Sequence, residues 1–148
     1  MNPNVTDAER LERHGQLVQF LQDQMDLNTA HPEIHDPVVM IRREKITIGD
    51  GSRIDSFVKL EGGERLAIGR YVHIASFAHI GIGGGEVEIE DFAAVASGAR
   101  IISGSNQVDA QTMSACAPAY MQRVTRSKTV ISRYATVLTN AVVLPGVT

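Results

Sequence analysis

Two histidines, His73 and His79, stand six residues apart, each immediately ahead of an isoleucine, Ile74 and Ile80. Side chains alternate between the faces of a strand, so both imidazoles turn outward where the isoleucines turn in. Histidine titrates near neutrality and suits the task of taking a proton from an attacking group. His73 is the base candidate; the other role open to it is a surface histidine bonding a neighbouring coil. His79 fits a contact to a substrate or a neighbouring subunit. Two histidines at this spacing also suit a metal, but no third lies near them, and no metal is expected. Asn106 and Asp109 can orient a histidine or hold a hydroxyl, or they can serve their own turn by bonding nearby backbone. Arg123, Arg126, Lys128 and Arg133 form a basic cluster able to meet phosphates, or simply a solvated face. Cys116 is read as inert.

The elements that must position these groups follow a six-residue period. Ile, Val or Leu recurs as Ile48, Ile54, Leu60, then Ile68, Ile74, Ile80, then Ile89, Val95, Ile101, then Ile131, Val137, Val143. Such self-similarity outranks helix and strand patterns as a guide to fold. It matches neither a 3.6-residue helix nor simple alternation. It fits a chain wound as a triangular coil, with a short strand on each side and a turn at each corner. Two residues before most anchors the side chain is small or β-branched: Ser52, Val58, Val72, Ala78, Ala93, Ala99, Ala135, Ala141. That suits a narrow interior. Gly49-Asp50-Gly51 and Gly83-Gly84-Gly85 read as corners, the second needing positive φ. The second is no nucleotide-binding fingerprint, because no helix follows it.

Residues 1–45 read as an N-terminal helix and lead-in, and 46–148 as the repeat, with a long loop at 103–128. Thr6 and Glu9 form a capping box ahead of a helix extending to Asp26. Leu17, Leu21 and Met25 give that helix an apolar face. Asn28–Pro37 reads as a loop and Pro37–Lys45 as a transition strand. The helix is expected to cover the open end of the prism or to meet another subunit. Long loops on a repeat scaffold commonly carry function. The net charge of −3 argues against nucleic acid as a partner. The single cysteine suits a reducing compartment. There is neither a signal-peptide layout nor an apolar run of membrane length, so a cytoplasmic protein without membrane insertion is expected.

The periodicity resembles the left-handed parallel β-helix of hexapeptide-repeat acyltransferases. The left hand is implied by that resemblance and not by the period, since crossover rules favour the right hand. One branch is most similar, the sugar O- and N-acetyltransferases of surface-polysaccharide biosynthesis. The residues that carry the likeness are Tyr71-Val72-His73-Ile74-Ala75-Ser76-Phe77, Gly83-Gly84-Gly85 and Ile89-Glu90-Asp91-Phe92. Further along come Ile102-Ser103-Gly104-Ser105-Asn106, Ala117-Pro118-Ala119-Tyr120 and Val143 to Thr148. There are departures. The branch reads Gly-Ser-Asp-Asp where this chain has Gly104-Ser105-Asn106-Gln107, and galactoside and maltose relatives carry a catalytic histidine in a loop that here has none.

The resemblance implies a β-helix of about four coils assembled as a homotrimer, with sites between subunits. It implies acetyl-CoA as donor and a hydroxyl or amine of a sugar as acceptor. His73 and Asn106 would be the catalytic pair, and Arg123, Arg126 and Lys128 the coenzyme contacts. His79, Asp109 and Tyr120 would touch the acceptor. In the family, a segment like Val143–Thr148 leads into a further coil that helps to bind coenzyme A. The amides at Asn106-Gln107 and the histidine-free loop support a second reading. In it the chain is a non-catalytic trimeric assembly protein, such as a viral or cell-surface module, on an inherited scaffold. A metal-dependent hydratase of the same fold comes third.

Overall fold

The computed structural model describes residues 11–19 and 31–148. The chain divides into two compact units, Met1–Ala30 and His31–Thr148. Residues 11–19 are helical. The expected cap at Thr6 and Glu9, and the apolar positions Leu21 and Met25, lie outside the described residues.

The second unit is a parallel β-helix with three flat faces. Face A stacks β1 (Glu33–Ile34), β4 (Arg53–Ile54), β7 (His73–Ile74), β10 (Ala94–Val95) and β15 (Thr136–Val137). Face B stacks β2 (Val39–Ile41), β5 (Lys59–Glu61), β8 (His79–Ile82), β11 (Arg100–Ile102) and β16 (Val142–Val143). Face C stacks β3 (Ile46–Ile48), β6 (Arg65–Ile68), β9 (Glu86–Ile89) and β14 (Lys128–Ile131). Neighbouring strands pair in parallel within each face, as in Ile54 beside Ile74 and Ile68 beside Ile89. The coil has the left hand that the resemblance implied.

The six-residue anchors fill the prism. Ile54, Leu60, Ile74, Ile80 and Ile101 are wholly buried, and Ile68, Ile89, Val95, Ile131 and Val137 nearly so. Val58, Val72, Ala78, Ala93 and Ala99, two residues ahead of their anchors, are buried with them. Ser52 sits in the same interior row and is satisfied twice. Its hydroxyl donates to the Gly69 carbonyl at 2.8 Å and accepts the Val72 N–H at 2.9 Å. Ile48 and Val143, the first and last anchors, are only partly covered.

Two segments differ from the sequence reading. Glu33–Ile34, inside the expected loop, pairs in register with Arg53–Ile54 and begins face A. The 103–128 excursion contains an antiparallel hairpin of β12 (Gly104–Asn106) and β13 (Val124–Arg126), with a 3₁₀ turn at Ala119–Met121. Hexad arithmetic registers only the winding of the coil, so it passes over a strand before the first anchor and a ladder that leaves the prism.

The corners carry a feature the anchors do not reveal. Phe57, Tyr71, Phe77, Phe92, Tyr134 and Asn140 all have φ between 56° and 66°. Side chains other than glycine adopt this conformation at a cost of roughly 1–2 kcal/mol each. Ring stacking offsets it: Phe57 lies on Phe77 at 5.3 Å, and Phe92 lies between Tyr71 and Tyr134 at 5.2 Å from each.

Candidate functional site

His73 takes its place on β7 because Ile74 is buried beside it and the pleat turns the preceding side chain outward. Along face A it stacks directly on Arg53 of the preceding rung and on Ala94 of the next. Its Nε2 is 2.9 Å from Asp55 Oδ2 and 2.9 Å from Arg53 Nη2. Arg53 Nε also meets Asp55 Oδ1 at 3.0 Å, which closes a triangle of acid, guanidinium and imidazole. Partial burial pushes the Asp55 carboxyl up. The hydrogen bond from His73 and the charges of His73 and Arg53 outweigh it and hold the group below its ordinary value of 3.8.

One ring nitrogen cannot serve both neighbours. Asp55 is ionised, so its Oδ2 at 2.9 Å is satisfied only by a hydrogen on Nε2. Arg53 already has Asp55 Oδ1 as an acceptor and can yield. In this assignment Nδ1 carries the lone pair, and the imidazole is a base held in orientation by a carboxylate. His73, Arg53, Glu33, Gly51 and Tyr71 line an open cleft of about 400 Å³.

The same constellation recurs one step along the chain. On face B, His79 Nε2 lies 2.6 Å from Glu61 Oε1, and Lys59 Nζ lies 2.8 Å from the same oxygen. Burial raises the Glu61 carboxyl, and hydrogen bonds from Lys59 and His79 bring it below its ordinary value of 4.5. His79 is the less exposed of the two histidine side chains, 24% against 42% for His73. His79 also stacks between Lys59 and Arg100, which leaves it less room to act as a base.

The other candidates separate. Asn106 donates its amide to the Met113 carbonyl within the excursion and shares no partner with His73. Asp109 and Arg123 form an ion pair, and with Tyr120 they border a small crevice of about 160 Å³ in the same excursion. Lys128 begins β14 and is held by Glu88 at 2.6 Å. That carboxylate, with Glu86 adding to it, raises the Lys128 ammonium above its ordinary value. Arg133 is tied to Asp91 at 3.2 Å. Among the four expected phosphate contacts, only Arg126 has no counter-ion among the described residues. Cys116 is free and exposed. Among the described residues no three His, Cys, Asp or Glu side chains group as metal ligands do. No described helix is long and apolar enough to cross a membrane.

Asp55, Arg53 and Glu61 were not singled out from sequence. Their signal was present: Arg53 precedes the anchor Ile54 as His73 precedes Ile74, 20 residues on. Recognising it requires knowing that one lap of the prism is 20 residues at this point.

The chain is a parallel β-helix with a six-residue interior period that presents an oriented histidine on its outer face. Among solved structures the chain is similar to AntD, an N-acyltransferase from Bacillus cereus. Against AntD in complex with dTDP and 3-hydroxybutyryl-CoA the TM-score is 0.69 at 22% identity, over 84% of this chain and 68% of that one. Against an AntD variant with dTDP-4-amino-4,6-dideoxyglucose and coenzyme A the TM-score is 0.70 at 23% identity, over 84% and 69%. At these identities the likeness is one of fold. No family model matches the chain, and neither does any curated protein.

Proposed function

We propose that this chain is an acyl-CoA-dependent acyltransferase that acylates a hydroxyl or amine of a sugar, acting as a homotrimer. The observation that carries the reading is the 2.9 Å contact between His73 Nε2 and the Asp55 carboxylate on an outward, cleft-lining position. Acyl transfer to a hydroxyl or amine needs a base that takes the nucleophile's proton as the new bond forms. Asp55 holds Nε2–H and leaves Nδ1 to accept that proton. The imidazolium that results is stabilised by the same carboxylate, and it can return the proton to the departing group.

The acyl-CoA supplies an activated thioester. Arg126 is the residue here best placed to meet its phosphates, because Arg123 and Lys128 are already committed to Asp109 and Glu88. Acetyl is the acyl group the sequence resemblance implies. AntD, of the same fold, is described with 3-hydroxybutyryl-CoA, so a longer acyl group belongs in the same screen. Asn106 serves the excursion's own structure in this reading and is not part of the base machinery.

The test is a panel of amino and hydroxy sugars, free and nucleotide-linked, with acetyl-CoA and 3-hydroxybutyryl-CoA, following thiol release. Replacing His73 with Ala should lower turnover by at least the roughly 10²–10⁴ typical of a lost acid–base group. Turnover unchanged in that variant removes His73 from the mechanism. Absence of transfer across the panel from a folded trimer favours the assembly-protein reading instead.

A further inference from the structure

We propose that the cleft between Arg42 and Arg126, at the corner joining face B to face C, binds a phosphate or diphosphate group. The two arginines come from opposite ends of the repeat. Arg42 follows β2 on the first rung, and Arg126 closes β13 of the excursion. The fold brings both to one opening of about 280 Å³, floored by Gly63, Gly83 and Gly84.

Among the described residues Arg42 and Arg126 have no carboxylate partner, as is true of Arg43 and Arg100, but Arg42 and Arg126 share one opening. Arg53, Lys59, Arg65, Arg123, Lys128 and Arg133 each lie against a carboxylate. Among the described residues Arg42 donates only to the Gly63 carbonyl, at 3.2 Å. Arg126 has no ion pair or side-chain hydrogen bond among the described residues. Glu61 is the acidic group in the lining, and its Oε1 is taken by Lys59 at 2.8 Å and His79 at 2.6 Å. The cleft therefore presents two guanidiniums, and the one carboxylate in its lining is already shared by Lys59 and His79. Guanidinium forks match phosphate oxygens in geometry as well as charge.

The backbone agrees. Gly63, Gly83 and Gly84 have φ of 50°, 90° and 75°, and the first two pack on the carbonyls of Gly85 and Gly104, so only glycine fits there. A Cβ at Gly84 would meet only Arg126 Nε, at 3.7 Å, an ordinary contact beside the guanidinium. Arg42 itself takes a left-handed φ of 54°, a conformation that glycine adopts at Gly63 in the same cleft. An arginine held there keeps its side chain at the opening at some cost to the backbone.

This deepens the acyl-transfer reading and rests on it for the source of the phosphate, which is either the coenzyme or a nucleotide-linked acceptor. The test needs no turnover. The full chain is titrated calorimetrically at low salt with inorganic pyrophosphate, coenzyme A and a nucleoside diphosphate. Pyrophosphate should bind and weaken steeply with added salt. R42A and R126A should each weaken it by roughly tenfold or more. R42G, which suits the positive φ, should lose as much, so a loss cannot be blamed on the backbone. R123A, whose arginine is paired with Asp109, should bind as wild type does. Loss of coenzyme A in R42A assigns the cleft to the donor, and loss of the nucleoside diphosphate assigns it to the acceptor. If no probe binds, or if R42A and R126A bind like wild type, the proposal is wrong. H73A should keep pyrophosphate binding, whereas a wild-type chain that binds the anion but transfers no acyl group overturns the enzymatic reading and leaves this site standing.

Discussion

Asp55 and Glu61, six residues apart, each follow a wholly buried anchor, Ile54 or Leu60, and each fastens a histidine of the next rung through Nε2, at 2.9 Å and 2.6 Å. Each also accepts a cation two residues before it, Arg53 or Lys59. A six-residue step moves the chain from face A to face B, so one local pattern is printed on two sides of the prism. The copies differ in access. His73 borders an open cleft, whereas His79 is flanked in register by Lys59 and Arg100. The more accessible copy is the one assigned to chemistry.

Asp55 is expected to act through His73 and not on substrate. Replacing Asp55 with Ala should reduce kcat while KM changes little, because no substrate contact is lost. The pH–rate profile should change as well, since the group that orients the base is gone. D55E should recover part of the rate. A variant with an unaltered profile and an altered KM would show instead that Asp55 contacts the acceptor.

The two carboxylates should also give the fold an acid limit. Both are held below their ordinary values of 3.8 and 4.5 in the folded chain. A lowered folded-state value contributes stability that is complete above the unfolded value and lost as pH falls through the folded one. The advantage of wild type over D55N/E61Q should therefore be flat near neutrality and should shrink below about pH 4. It should be modest, about 1 kcal/mol per cluster, because the partners are substantially exposed. Denaturant titrations from pH 7 to pH 3 measure it. A gap that widens on acidification contradicts the assignment.

How far the sequence reaches is visible in these same residues. Ile54, Ile74 and Ile80 announce themselves because burial imposes a type and the winding imposes a period. His73 could be placed outward for the same reason. Its partners could not be identified, because stacking depends on the length of each lap. Arg53 and His73 stack 20 residues apart, but Glu86 and Lys128 stack across the whole excursion. Arg42 and Arg126 are further still from legibility, since nothing local joins a first-rung corner to the end of a hairpin. Aromatic residues at positive φ were missed for another reason. Their backbone strain is offset by rings one lap away, which a window of neighbouring residues does not contain.

The corner glycines should differ sharply in tolerance. A Cβ on Gly83 would sit 2.0 Å from the Gly104 carbonyl oxygen, a backbone atom with little freedom to retreat. On Gly84 it would meet nothing closer than 3.7 Å. Both have positive φ, so each alanine carries a penalty of roughly 1–2 kcal/mol. G83A must in addition displace β12 and should lower the midpoint of thermal unfolding well beyond G84A. Equal midpoints would mean that the hairpin is not anchored at this corner.

Phe92 allows the balance at the corners to be measured. It stands between Tyr71 and Tyr134 with φ of 63°. Truncation to Ala removes two ring contacts worth about 0.5–1.5 kcal/mol each and keeps the strained backbone. Truncation to Gly removes the same contacts and releases roughly 1–2 kcal/mol of strain, against the extra entropy glycine has when unfolded. In an ordinary strand glycine is the worse of the two. Here F92G should be at least as stable as F92A, and both should lie below wild type. If F92A is clearly the more stable, the left-handed conformation costs this chain little, and the stacked rings are not what maintains it.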